Sequence, residues 1–113
     1  MPFISLKTNV KIDEKKEISL KERLGESIGI IPGKSEAWLM LDFEGDCRMY
    51  FKGSDSPLAF FEVKIFGGIS ENTANVFTET LCRLAEEELG VEKSRVYVKY
   101  EETKYWGWNG ANF

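Results

Sequence analysis

The chain has 113 residues, 42% hydrophobic and 30% charged, which is the composition of an ordinary soluble globular domain rather than a disordered segment. Its formal charge of −4 argues against nucleic acid or an anionic membrane as the main partner, because both bind basic surfaces. No apolar stretch approaches the roughly 20 residues that cross a bilayer, and no secretory signal pattern is present, so we expect a single cytoplasmic domain over residues 1–113.

Two residue types that perform much enzyme chemistry are absent or scarce. The chain contains no histidine, which removes the commonest metal ligand and the commonest general base. Its two cysteines, Cys47 and Cys82, form no C-x-x-C motif and no disulfide framework. We therefore expect no metal site and no cofactor, and any acid–base catalysis must use another group.

The first half of the chain predicts a strand, a helix and two further extended segments. The opening MPFISLKTNV alternates as a strand does, with Pro2 at its head, where a residue without an N–H is tolerated. A helix with apolar residues at every fourth position begins near Asp13 and ends at residues 32–33. A strand at 37–45 and an extended segment at 47–53 follow. The residues GSDSP at 53–57 are all typical of turns.

The second half predicts a strand at 58–66, a helix at 69–90, a strand at 94–102 and an aromatic, glycine-rich tail at 105–113. Ser70 is the expected N-cap of the helix, and Gly90 lies where a terminating glycine belongs. The expected inward stripe of this helix consists of Phe77, Leu81, Leu84 and either Cys82 or Ala85.

The order of elements repeats. A shift of 57 positions brings residues 3–7 onto 60–64 and residues 37–43 onto 94–100, which suggests a duplicated β-α-β unit. Two such units predict an α+β fold with a four-stranded mixed sheet and both helices on one face. The other face would be bare and available for association, and its candidate apolar residues are Trp38, Met40, Phe60 and Phe66.

Several segments in this order resemble the tautomerase superfamily, and within it the branch of macrophage migration inhibitory factor and D-dopachrome tautomerase. They are MPFISLKTNV, GK at 33–34, GSDSP, RVYVKY at 95–100 and WGWNGANF, and the resemblance extends over essentially the whole chain. It implies the tautomerase fold and a homotrimer with active sites at subunit interfaces, where residues 47–52 and the C-terminal segment extend neighbouring sheets. The implied reaction is keto–enol tautomerisation of a small aromatic 2-oxo acid, of the phenylpyruvate or dopachrome type.

The resemblance gives Pro2 a catalytic role. Once Met1 is removed, Pro2 presents a secondary amine, and an α-amino group titrates near ~8 before burial or nearby cations lower its pKa. Such a base suits proton transfer from a carbon beside a carbonyl, and it would explain catalysis without histidine. From its position alone, Pro2 is equally a residue that merely starts a strand.

Four further site residues follow from the resemblance. Lys34 would pair with the substrate carboxylate and lower the pKa of Pro2, although taken alone it is an ordinary loop lysine. Tyr97, from the neighbouring subunit, would hydrogen-bond the substrate, or it is simply a packed strand tyrosine. Lys99 stands where the family usually has asparagine and adds a second cation. Phe66 replaces an isoleucine whose backbone contacts the ligand, so it would narrow the pocket.

An aromatic wall is implied as well, suited to a phenyl or indole ring. The family usually has a smaller residue at position 106, and the tail is shorter than in the cytokine; core or interface packing is the alternative role. The expected wall residues are Phe3, Trp38, Trp106, Trp108 and Phe113.

Two other activities of the superfamily, thiol–disulfide exchange and dehalogenation, are not expected. Leu58 and Phe61 replace the C-x-x-C of the cytokine, so thiol–disulfide exchange is not expected, and the paired arginines of the dehalogenases are missing. A different class remains open: a cytokine-like protein, released without a signal peptide, that binds a host receptor and whose tautomerase activity is incidental.

Overall fold

Buried and half-buried residues alternate strictly along residues 59–66, so one face of the sheet is packed and the other is open. Every second residue, from Ala59 to Ile65, is buried, and those between them are half-buried. The structure, a computed structural model, describes residues 1–113. Its strands are β1 (Pro2–Thr8), β2 (Met40–Glu44), β3 (Ala59–Phe66) and β4 (Val96–Thr103), its helices are α1 (Glu14–Ser27) and α2 (Glu71–Leu89), and a hairpin of β5 (Gly107–Trp108) and β6 (Ala111–Asn112) ends the chain.

The sheet has the order β2-β1-β3-β4. Strand β1 is parallel to β2, and β3 is parallel to β4, while the two inner strands β1 and β3 are antiparallel. Each parallel pair is joined through a helix, so two β-α-β units lie side by side in one mixed sheet. This arrangement confirms the predicted α+β fold with a four-stranded mixed sheet.

Both helices begin at side-chain caps. Asp13 accepts a hydrogen bond from Lys16 N at 2.8 Å, and Ser70 accepts one from Thr73 N at 3.1 Å. Helix α2 ends at Gly90, whose φ of 68° is the left-handed conformation that glycine adopts without a steric cost. The predicted caps of α2 are therefore confirmed.

Helix α1 ends earlier than predicted. It stops at Ser27 and continues as a single 3₁₀ turn over Ile28–Ile30, rather than extending to residues 32–33. Pro32 accounts only for the end of this turn, because a proline disfavours helical backbone at the residue before it, and Ile31 is extended. Ile31 is nevertheless buried, and so it anchors the following turn in the core.

One hydrophobic core lies between the helices and the sheet. From α2 it includes Ala85, while Cys82 is only half-buried, which resolves the alternative left open by the spacing. Burial raises the pKa of the Cys82 thiol, which keeps it protonated. Neither helix is long and apolar enough to cross a membrane. The core residues contributed by the helices are Leu20, Leu24, Phe77, Leu81, Leu84, Ala85 and Leu89.

The open face of the sheet is more charged than predicted. Trp38 does not lie on it, because residues 36–38 form a 3₁₀ turn and β2 begins only at Met40. The predicted strand at 37–45 therefore started too early. All four strands contribute charged residues to this face; they are Lys7, Asp42, Glu44, Glu62, Lys64, Lys99 and Glu101.

Residues 47–53 form no paired strand within the chain. Their one ladder contact joins Phe51 to Ser54 around a tight turn in which Lys52 and Gly53 both have positive φ. The predicted extended segment therefore has no strand partner within the single chain. That this segment extends the sheet of a neighbouring subunit stays a prediction.

Candidate active site

The amino terminus lies at the start of β1, beside the last residues of β3. Pro2 is buried and pairs with Ile65, and the carbonyl of Met1 accepts a hydrogen bond from Phe66 N at 3.1 Å. Because Met1 is present, the nitrogen of Pro2 is part of an amide and has no free lone pair. Removal of Met1 would expose that nitrogen and would leave Phe66 N–H without its partner.

A proline–glycine turn brings Lys34 to the same place. Lys34 N donates to Ile31 O at 3.1 Å, and Gly33 between them has a φ of 79°, as the third residue of a type II turn requires. The Lys34 ammonium then donates to Phe66 O at 2.8 Å. One residue of β3, Phe66, thus holds both the amino terminus and the Lys34 side chain through its backbone.

The charge of Lys34 acts on the amino terminus. Burial lowers the pKa of the Met1 amine below its ordinary value, and the charge and hydrogen bond of Lys34 lower it further. A cation beside an amine disfavours the protonated amine, so this position favours a neutral nitrogen.

The ring of Phe66 belongs to a continuous group of four aromatic rings. We call this group the aromatic cluster; its members are Trp38, Phe66, Trp108 and Phe113. Trp38 meets Trp108 edge to face at 4.9 Å between ring centroids, and Trp108 stacks on Phe113 at 5.9 Å. Phe113 reaches Phe66 at 5.7 Å. Although Trp38 is not on the sheet, it does join the predicted aromatic wall.

The C-terminal hairpin places two of these rings. The chain leaves β4 beside Phe66, whose partner on β4 is Thr103. It then reverses at Asn109 and Gly110, which both have positive φ, as a two-residue hairpin turn requires. Trp106 closes the base of the hairpin, since its carbonyl accepts a hydrogen bond from Phe113 N at 3.0 Å.

Tyr97 and Lys99 lie away from Pro2 in the same chain. Tyr97 pairs with Phe60, five positions from Ile65 along β3, which corresponds to about 17 Å. Lys99 pairs with Glu62 across the sheet, and its ammonium lies 3.1 Å from Glu101. A single chain therefore does not bring these two predicted site residues to the amino terminus.

Phe3 lies on the open face, next to Pro2 in sequence but pointing to the other side of β1. Its ring faces the Lys64 ammonium, 5.8 Å from the ring centroid, rather than any ring of the aromatic cluster. The structure thus gathers Lys34, Phe66, Trp38, Trp108 and Phe113 near the amino terminus, and leaves Phe3, Tyr97 and Lys99 outside this group.

Two residues beside Tyr97 were not predicted. The ring of Phe51 contacts Tyr97 edge to face at 4.8 Å, and the Arg95 guanidinium lies 5.5 Å from the Phe51 centroid. Arg95 lies in the 3₁₀ turn Lys93–Arg95 that leads into β4, two positions before Tyr97. The contact with Phe51 is non-local, and the sequence carries no sign of it.

Acidic and thiol side chains form no group of three that could hold a metal ion.

Comparison with known proteins places the chain in a family. Residues 1–113, the whole chain, match the family model described as macrophage migration inhibitory factor (MIF). The chain is 27% identical over 115 residues to the macrophage migration inhibitory factor homolog of Brugia malayi, with 100% of this chain and 99% of that protein covered. It is also similar to two solved structures.

The crystal structure of Leishmania major MIF2 matches with a TM-score of 0.93 at 31% identity, covering 100% of this chain and 97% of that one. The homologue from Prochlorococcus marinus matches with a TM-score of 0.82 at 27% identity, covering 98% of both chains. The chain belongs to the macrophage migration inhibitory factor family.

Proposed function

We propose that this protein is a tautomerase that interconverts the keto and enol forms of a small aromatic 2-oxo acid, with the nitrogen of Pro2 as the base after removal of Met1. The observation that carries this proposal is the position of Lys34, whose ammonium is held beside the amino terminus by Phe66 O. Burial and then the charge of Lys34 lower the pKa of the Met1 amine at that place. A neutral amine next to a fixed cation can bind an anionic substrate and remove a proton from it.

The reaction needs only a proton transfer in two steps. The neutral Pro2 nitrogen takes a proton from C3 of the 2-oxo acid, and the electrons of that C–H bond form the C2–C3 double bond. The π electrons of the C2 carbonyl move onto its oxygen. Protonation of this oxygen gives the enol and, when the proton comes from Pro2, restores the neutral base; the reverse sequence returns the keto acid.

Lys34 would hold the substrate carboxylate during these steps. An ammonium has three N–H donors, so Lys34 can keep its hydrogen bond to Phe66 O and still pair with a carboxylate. Loss of Met1 would also free Phe66 N–H, which now donates to Met1 O. Phe66 would then offer a backbone donor to an oxygen of the substrate, next to the ammonium.

The aromatic cluster supports an aryl-bearing substrate. Trp108 and Phe113 are each about half exposed, at 51% and 52%, so their faces are available to a planar ring. The bulk of Phe66, which contacts Phe113, would limit the depth of this surface. Together with Lys34, the cluster matches a molecule that has a carboxylate at one end and a ring at the other.

Tyr97 and Lys99 would enter the site from a second copy of the chain. Within one chain Tyr97 lies on β4 opposite Phe60, too far from Pro2 to reach a substrate bound there. A homotrimer with sites at its subunit interfaces is the arrangement that we propose, because it sets the Tyr97 end of one chain beside the Pro2 end of the next.

Phenylpyruvate is the substrate with which to test the proposal. Intact-mass analysis is first used to select wild-type protein that lacks Met1. We expect this protein to accelerate the tautomerisation of phenylpyruvate over the rate in buffer. Pro2→Gly should lower kcat/KM by roughly 100-fold or more, since a general base contributes about 10²- to 10⁴-fold. An inactive wild type, or a fully active Pro2→Gly variant of the same assembly state, would refute the proposal.

A further inference from the structure

The guanidinium of Arg95 makes four hydrogen bonds to backbone carbonyls of one loop, residues 51–57, which we call the 51–57 loop. Its Nη2 donates to two of them, Ser54 O and Ser56 O, each at 3.0 Å. Nε donates to Pro57 O at 3.0 Å, and Nη1 donates to Phe51 O at 3.1 Å. Arg95 forms no ion pair, so its charged donors serve this loop alone.

The loop has a second anchor only at its far end. The Asn9 amide donates to Asp55 O at 2.7 Å and accepts from Leu58 N at 3.0 Å. At its near end, Phe51 is held by its turn partner Ser54 and by Arg95. The position of Phe51 relative to β4 therefore depends on the Arg95 side chain.

Phe51 in turn contacts Tyr97. Their rings meet edge to face with centroids 4.8 Å apart, at an angle of 63°. Tyr97 is 62% exposed, so few other groups of the chain restrict its ring. Arg95, Phe51 and Tyr97 also line one largely apolar pocket of about 210 Å³. The three side chains thus form a continuous series from the 3₁₀ turn before β4, through the 51–57 loop, to Tyr97 on β4.

We propose that Arg95 is a positioning residue, which sets the orientation of the Tyr97 ring by holding Phe51 and the 51–57 loop. That this orientation matters for catalysis rests on the proposed function, in which Tyr97 contacts the substrate. A lysine could not replace Arg95 here, because an ammonium has three N–H donors for the four carbonyls, whereas a guanidinium has five in a rigid fork.

The orientation of Tyr97 can be measured without any activity. In protein labelled with 3-fluorotyrosine, the ¹⁹F resonance of Tyr97 is identified as the one lost in Tyr97→Phe. We expect Arg95→Lys and Phe51→Leu to move this resonance in the same direction, toward that of free fluorotyrosine, because both remove the edge-to-face contact. Arg23→Lys is the matched control, since Arg23 links Glu87 and Glu88 on α2 and should leave the resonance in place.

A kinetic cycle tests whether this orientation is used. We expect Arg95→Lys to lower kcat/KM for phenylpyruvate by roughly five- to tenfold in the wild-type background, and to have almost no further effect when Tyr97→Ala is already present. Arg23→Lys should leave kcat/KM unchanged in both backgrounds. Equal losses with and without the Tyr97 ring would overturn the inference, because Arg95 would then act elsewhere.

The two arms separate this inference from the proposed function. An unmoved Tyr97 resonance in folded Arg95→Lys protein overturns the positioning role, whatever the enzyme does. If the wild type fails to turn over phenylpyruvate, the proposed function fails, and the ¹⁹F comparison of Arg95→Lys, Phe51→Leu and Arg23→Lys still decides whether Arg95 positions Tyr97.

Discussion

At one end of the sheet, the chain places its amino terminus, the Lys34 ammonium and the aromatic cluster; at the other end, Tyr97 packs on Phe51 under the control of Arg95. The Pro2 end has a cation and a nitrogen that can become a base, but its neighbouring surface is open. The Tyr97 end has an ordered ring but no base. This difference is the one expected if, as we propose, each chain carries two parts of a site that a second copy combines.

The largest effect at the Pro2 end is expected from loss of the Lys34 charge. We expect Lys34→Gln to lower kcat/KM for phenylpyruvate by about 10- to 100-fold, mainly through KM, because a charge-assisted hydrogen bond to the carboxylate is lost. Lys11→Gln is the matched control, since Lys11 is exposed beyond the far end of β1. Steady-state kinetics of both variants measure the difference, and equal KM values for the two would contradict this role of Lys34.

Mixing two variants tests whether the two ends cooperate across chains. We expect Pro2→Gly and Tyr97→Ala proteins to have low activity separately. Refolded together as a trimer, they should regain wild-type sites wherever the intact Pro2 of one chain meets the intact Tyr97 of another, which is roughly a quarter of all sites. Activity of the mixture that equals the mean of the two parents would show that Tyr97 does not act across an interface.

The pH dependence of kcat/KM should show the effect of the Lys34 charge on the pKa of the Pro2 amine. Because the base must be neutral, kcat/KM is expected to rise with pH through the pKa of the Pro2 amine and then level off. The surroundings that lower the pKa of the Met1 amine should lower that of Pro2, so activity should persist below pH ~8. In Lys34→Gln the rising limb should move to higher pH, and an unmoved limb would mean that Lys34 does not act on the base.

The hairpin that supports the aromatic cluster should show the smallest effect. Gly110 has a φ of 88°, so Gly110→Ala is expected to strain the turn by about 1–2 kcal/mol and to raise KM roughly threefold. The edge-to-face contact of Trp38 with Trp108 would weaken, which tryptophan fluorescence can follow. Gly29→Ala is the control, because nothing lies within 4 Å of its added Cβ and its φ is not positive.

Local patterns predicted the fold well. The duplicated β-α-β order, the caps at Ser70 and Gly90, and the inward stripe of α2 all follow from residue spacing, and the structure has them. Two boundaries were wrong: α1 changes to a 3₁₀ turn at Ile28, before its predicted end at residues 32–33, and another 3₁₀ turn holds Trp38 off the sheet. The predicted tail lacked the hairpin of β5 and β6, although Asn-Gly between two short apolar segments is a hairpin signal.

The site was far less predictable, because its contacts are non-local. Lys34 meets the amino terminus only through the backbone of Phe66, and no spacing in the sequence encodes that meeting. The same is true of Arg95, whose four carbonyl partners lie some forty residues earlier in the chain. For Pro2, Lys34 and Tyr97, the resemblance to a family supplied the candidates, and the structure shows where they lie.

The most direct test of the account compares two forms of the same chain that differ only in Met1. Pro2 is a base only if its nitrogen is an amine, so protein purified with Met1 retained should show no tautomerisation of phenylpyruvate above buffer. Removal of Met1 by a methionine aminopeptidase, followed by intact mass, should restore activity in proportion to the fraction processed. Equal activity of the two forms would contradict the central claim that the Pro2 amine performs the chemistry.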